Sequence, residues 1–159
     1  MMNSRETILE ALCALLAKAQ FVTPINGCDT WALLSRRLKL WTDVAAADQP
    51  ALFVTDHGET VAYAAGNVPG KTVLNVDLFV YIAAGKDPDC VPARDLNVAL
   101  DALAACLAPG LADGRQTLGG LVEHCRIEGR IVKDPGDLDG QGLALVPVKI
   151  LAALNPLAS

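Results

Sequence analysis

A chain of 159 residues suits one folded domain, and 52% hydrophobic against 19% charged residues excludes a disordered polypeptide, which lacks the apolar surface to offset the entropy of ordering. The net charge of −5 at pH 7 speaks against a broad nucleic-acid-binding face. Aromatic residues make up only 4%, so the core falls to Leu, Val, Ile and Ala, and so high an apolar fraction suggests that some surface is covered by another chain.

Asn3 followed by Glu6 makes a capping-box pattern, and Ile8, Leu9, Leu12, Leu15, Leu16 and Ala19 recur at helical spacing, so a first helix is expected over Asn3 to Ala19. The stretch Thr23-Pro24-Ile25-Asn26-Gly27 breaks it. From Ser35 to Val44 the period changes to two, with Leu38 and Leu40 on one face and Arg37, Lys39 and Trp41 on the other. That pattern predicts a strand with one wet or partner-covered face. A short strand from Ala51 to Thr55 follows Pro50 and is stopped by Asp56-His57-Gly58. Val61 to Ala65, between glycine-bearing flanks, reads equally as a short strand or an extended loop. Thr72 to Ile82 is the clearest strand. Leu74, Val76, Leu78, Val80 and Ile82 face one way and Val73, Asn75, Asp77, Phe79 and Tyr81 the other, which predicts a central position.

Gly85 to Asp89 reads as a loop that Pro92 closes before a second helix capped by Asp95. Leu96, Ala99, Leu100, Leu103 and Leu107 form its apolar stripe, and Pro109-Gly110 ends it. Thr117 to Val132 alternates again, with Leu121, Cys125, Ile127 and Ile131 opposite His124, Arg126, Glu128 and Arg130. Gly142 to Leu151 is the last strand. Pro147 within it lacks a ladder donor and belongs toward an edge or at a break; an uncovered edge would be a natural seam for a neighbouring subunit. Hairpin-length connections predict a single α+β domain over residues 1–159, a mostly antiparallel sheet of about five strands with two helices packed on one face.

Little in the chain promises catalysis. Five cysteines, Cys13, Cys28, Cys90, Cys106 and Cys125, form no CxxC pair and are odd in number, which points to neither a disulfide framework nor a zinc ribbon and fits a reducing compartment. Arg5, Glu6 and Glu10 interrupt the first apolar pattern, so no secretion signal or membrane span is expected and the chain should be soluble and intracellular when made. Only His57 and His124 titrate naturally near neutral pH, and His57 sits in an expected turn. Cys125 beside His124 is the one candidate nucleophile, for a small thiol hydrolase, but adjacent strand residues point to opposite faces. Asp134 to Gly142 begins like a calcium loop yet lacks the closing Glu and flanking helices, and reads as a hairpin loop. Thr117-Leu118-Gly119-Gly120 lacks the P-loop ending and reads as a bend. No catalytic residue, cofactor or metal is predicted. The cluster Arg36, Arg37 and Lys39 is short for a DNA site; it reads as a solvated or salt-bridged strand face and as the best local candidate for charge pairing between subunits.

Taken together, Ser35 to Val44 (SRRLKLWTDV), Gln49 to Phe53 (QPALF) and Leu118 to Gly129 (LGGLVEHCRIEG) resemble the tail-terminator, or tail-completion, proteins of long-tailed bacteriophages. The likeness runs from Ser35 to Leu151 and includes the order of strands, the central helix near Asp95 and the glycine-rich return hairpin. The resemblance implies an α+β subunit that forms a ring, typically a hexamer, on the end of a finished tail tube. There it stops tube polymerisation and presents the head-joining surface. The implied partners are further copies of the chain, the major tail tube protein and a head-completion or connector protein. DNA would only pass through the lumen, no membrane would be involved, and the site of action would be the virion tail, assembled in the host bacterial cytoplasm. An acidic chain suits a lumen that must not hold phosphates tightly. Interface residues are then expected at Arg36, Arg37, Lys39 and Trp41 on one strand face and at Arg126, Glu128 and Arg130 on another, because Trp and Arg are enriched at binding hot spots. A head-completion or neck connector protein is the alternative within the same class.

Overall fold

A computed structural model describes residues 3–62, 70–83, 89, 91–136 and 141–154. The first helix, α1, runs Arg5–Leu16, shorter at both ends than the expected span Asn3 to Ala19. Ser4, not Asn3, caps it: the Ser4 hydroxyl accepts the Thr7 N–H at 3.2 Å, satisfying one of the free donors of the first turn. Asn3 is used elsewhere, its side-chain amide donating to the Leu121 carbonyl at 3.2 Å. At the other end Lys18 and Ala19 bond to the carbonyls of Leu15 and Leu16, the tightened geometry in which helices terminate. Ile8, Leu9, Leu12 and Leu16 are buried, as their spacing requires.

Among the described residues six strands build one sheet: β1 (Leu33–Ser35), β2 (Ala51–Ala62), β3 (Lys71–Ala83), β4 (His124–Ile127), β5 (Val132–Asp134) and β6 (Gln141–Ala152). Their order is β1-β2-β3-β6-β4, with β5 pairing β6 beyond the end of β4. All pairs are antiparallel except β1 with β2. β3 and β6 form the centre, and their alternation is strict: Leu74, Val76, Leu78, Val80 and Ile82 pack with Val146, Val148 and Ile150 beneath both helices. The second helix, α2 (Pro92–Cys106), buries Leu96, Ala99, Leu100 and Leu103 on the same side of the sheet, and Leu107 just past its end joins them. The α+β domain with two helices on one sheet face is therefore the observed architecture. α2 starts one turn earlier than expected: Pro92 occupies the first turn, where its missing N–H costs nothing, and Asp95 lies inside the helix rather than capping it.

Three strand assignments change. The expected strand Ser35 to Val44 survives only as the end of β1. The Ser35 hydroxyl accepts the Arg37 N–H at 3.1 Å, a local bond that takes the donor a ladder would need, and the chain turns off the edge into 3₁₀ turns at Trp41–Asp43 and Ala46–Asp48. Leu38 and Leu40 are consequently exposed rather than facing a core. β2 does not stop at Asp56-His57-Gly58 but passes through it: the register jumps from Asp56 opposite Val76 to Gly58 opposite Asn75, leaving His57 as the extra residue of a bulge. Gly58, at φ +127°, takes the conformation that this bulge needs. Val61 and Ala62 prolong β2, while positions 63–65 of the stretch left open above lie outside the described residues, as does the expected loop from 85 to 88.

The predicted strand Thr117 to Val132 is split into β4 and β5, which accounts for the sixth strand. Pro147 sits at that split. Its carbonyl accepts the Glu128 N–H at 3.1 Å, so its donor-less nitrogen also points toward the gap between β4 and β5 and the ladder to β3 is uninterrupted. Pro147 thus lies within a central strand, opposite the break between β4 and β5, and not on an edge. The Thr117-Leu118-Gly119-Gly120 stretch is a bend with positive φ at its last three residues, closed by the Gly120 N–H on the Thr117 carbonyl at 3.1 Å.

Candidate interaction surface

The pleat sends every second residue of β3 and β6 away from the helices, and among the described residues neither α-helix packs on that second face. Register places its side chains in rows across the sheet. Tyr81, Leu143 and Asp134 make one row and Phe79, Leu145 and Val132 the next. Asp77 beside Pro147 follows, then Asn75, Lys149 and Arg126, then Val73, Leu151 and His124. The face is therefore apolar at one end and polar at the other.

The segment 36–50 crosses the apolar end. Tyr81 anchors it, its hydroxyl donating to the Lys39 carbonyl at 2.6 Å, and burial raises that phenol's pKa. Phe53 and Tyr81 pack with their rings tilted at 52° and centroids 5.1 Å apart, and Val44 and Ala51 complete a small second cluster. Gln49, buried, donates to the Val44 carbonyl at 3.1 Å and holds the segment's return. The crossing leaves an open trough of about 290 Å³ whose wall is Leu40 and Trp41 and whose floor is the first two rows. Leu40 is 70% exposed, Val132 51% and Trp41 36%, so the rim is apolar and wet. Lys39 stands beside the wall and Asp134 in the floor row.

At the polar end a second groove of about 350 Å³ is lined by Asn75, His124, Arg126, Glu128 and Lys149 with Thr60 at its margin. Its charges are mutually engaged: Lys149 Nζ donates to Asn75 Oδ1 at 2.9 Å, and Arg126 pairs with Glu128 at 2.9 Å. His57 Nδ1 lies 3.1 Å from Asp77 Oδ2 between the two ends.

Of the residues nominated from sequence, Trp41 lines the trough and Arg37 and Lys39 are exposed on the segment that forms its wall. Arg126 and Glu128 line the polar groove, and Arg130 is exposed between β4 and β5. Arg36 is different. Its guanidinium forks onto Glu6 of α1 at 2.7 and 3.0 Å and reaches Asp56 of β2 at 3.7 Å, which raises its pKa and holds the Glu6 carboxyl below its ordinary value. Its charge fastens the helix to the sheet edge instead of standing free for a partner. Leu40, Val132, Leu145 and Lys149 belong to the surface and were missed; the visible signal was the outward pair Leu143 and Leu145, apolar on a strand whose other side is also apolar.

The thiol pair does not assemble. Cys125 points into the core, 1% exposed, and burial pushes its pKa up to about 12. His124 lies on the opposite face in the polar groove. Cys13 and Cys106 are half-buried, with pKa values likewise raised by burial. Among the described residues no group of three or more His, Cys, Asp or Glu could hold a metal ion, and no helix is long and apolar enough to cross a membrane. Residues 137–140 of the Asp134 to Gly142 loop lie outside the described part. No protein-family model matches the sequence, and no curated protein matches it significantly.

Proposed function

We propose that the chain is a tail-terminator subunit that forms a ring on the end of a phage tail tube, stops its polymerisation and offers the head-joining surface. The observation that carries this reading is the half-covered sheet: two helices close one face, while the other presents a preformed apolar trough with Trp41, Leu40 and Val132 at its rim. Exposed apolar surface gathered around a trough and bordered by polar groups is the composition of a docking face. It suits binding better than chemistry, since the groups that could act as nucleophile and base, Cys125 and His124, are separated by the sheet itself.

The mechanism needs no covalent step. A ring whose one side repeats the contacts of the last tube layer, and whose other side does not, binds the tube once and templates no further layer. Sizing chromatography with light scattering, alone and after incubation with tail tubes, tests the reading. The expected species is a ring near six times 16.7 kDa, free or captured on one tube end; a strict monomer that never binds tubes contradicts it.

A further inference from the structure

We infer that copies of the chain associate head to tail by inserting Leu111 of one into the Leu40–Trp41–Val132 trough of the next. The inference deepens the ring reading and rests on it. After α2 the chain forms a loop that is fastened at both ends. Gly110 N–H bonds to the Arg115 carbonyl at 3.2 Å and Gly114 N–H to the Gly110 carbonyl at 2.9 Å. The Gln116 side chain reaches back to the carbonyls of Cys106 and Ala108 at 3.4 and 3.3 Å. At the tip of this braced loop Leu111 is fully exposed, at 107% of its reference area, the most exposed large apolar side chain among the described residues. A leucine held out on a braced loop loses little freedom on docking, which is how preorganised contacts gain affinity.

The occupant is a second copy for three reasons. Leu107 and Leu118, which bracket the Leu111 loop, both pack in the core on the helix side of the sheet, whereas the trough opens on the opposite face and Leu111 is not among its lining residues. A knob and a hole on different faces of one chain make a heterologous contact, which propagates around a ring instead of ending at a two-fold dimer. The charges also match: exposed Asp113 and Arg115 flank the knob, and Lys39 and Asp134 flank the hole, so each acid can meet a base across the junction.

Sedimentation velocity over a concentration series tests this with Leu111→Asp and Leu40→Asp, both at exposed positions where the fold should be unaffected, as circular dichroism checks. The unaltered chain is expected to self-associate, and each variant to weaken association about ten- to hundredfold, the loss expected when one leucine is no longer buried. Mixing the two variants is the sharper arm. The Leu40→Asp chain keeps its knob and the Leu111→Asp chain keeps its hole, so the mixture forms 1:1 dimers that cannot grow. An unaltered chain that stays monomeric across the series, variants that associate normally, or a mixture without dimers each overturns the inference. Rings that form despite both substitutions would leave tail termination standing while this contact falls. Unchanged association with loss of tube binding in Leu40→Asp would assign the trough to the tube subunit and overturn it as well. Failure of the unaltered chain to bind tubes would instead remove the ring reading itself.

Discussion

Replacing Leu78 by Ala is expected to lower the unfolding free energy by about 3 kcal/mol, whereas Leu40→Ala should change it by less than about 0.5 kcal/mol. The two leucines sit on equally clean alternating patterns, yet Leu78 is fully buried at the centre of β3 beneath both helices and Leu40 is 70% exposed on the segment that crosses the other face. Truncating Leu78 removes transfer energy and leaves a hole that neighbours on β3 and β6 cannot fill without moving; truncating Leu40 leaves only solvent. For a chain of this length the Leu78 variant should melt about 6–12 °C lower. Thermal and urea denaturation check both values. Equal losses for the two would mean that Ser35 to Val44 packs as a core strand after all.

Cys125 in the native protein is expected to react with iodoacetamide at pH 8 at least about a thousandfold more slowly than in the urea-unfolded chain, read by peptide mass mapping. Only the thiolate is nucleophilic. A thiol whose pKa stands near 12 in the fold is ionised far less at that pH than one at its ordinary value of 9.0, and burial at 1% exposure blocks access besides. The same difference sets a pH dependence. The unfolded chain releases this proton first, so stability is intact below about pH 9 and declines as pH rises toward about 12. Cys125→Ala should flatten that decline. Rapid alkylation of native Cys125 would place the thiol in an open site and restore the hydrolase reading.

How far residues could be read from sequence followed from where their partners lie. β3, β6 and the α2 stripe were legible because their burial is decided by the pleat or the helical turn, one element at a time. Segment 36–50 was not, since what places it is a backbone carbonyl, that of Lys39, held by Tyr81 from 42 residues away, and alternation carries no trace of such a bond. The salt-bridged reading of Arg36 could be made from its cluster, but not its partner, since Glu6 lies 30 residues earlier on α1. The trough needed three strands in register, with Phe79, Leu145 and Val132 adjacent only after β3, β6 and β5 pair. Trp41 could be nominated alone by residue type; the floor beneath it could not.

Tail length tests the central claim most directly. The proposed terminator role predicts that, when codon 31, that of Trp31, is changed to a stop in a phage genome encoding this chain, electron microscopy of the progeny shows tubes longer than normal, broadly distributed and unjoined to filled heads. Supplying the intact chain in trans should restore one length. Tubes of normal length and narrow distribution in the absence of the chain would contradict termination, and such tubes lying beside unjoined heads would make it a head-completion protein instead.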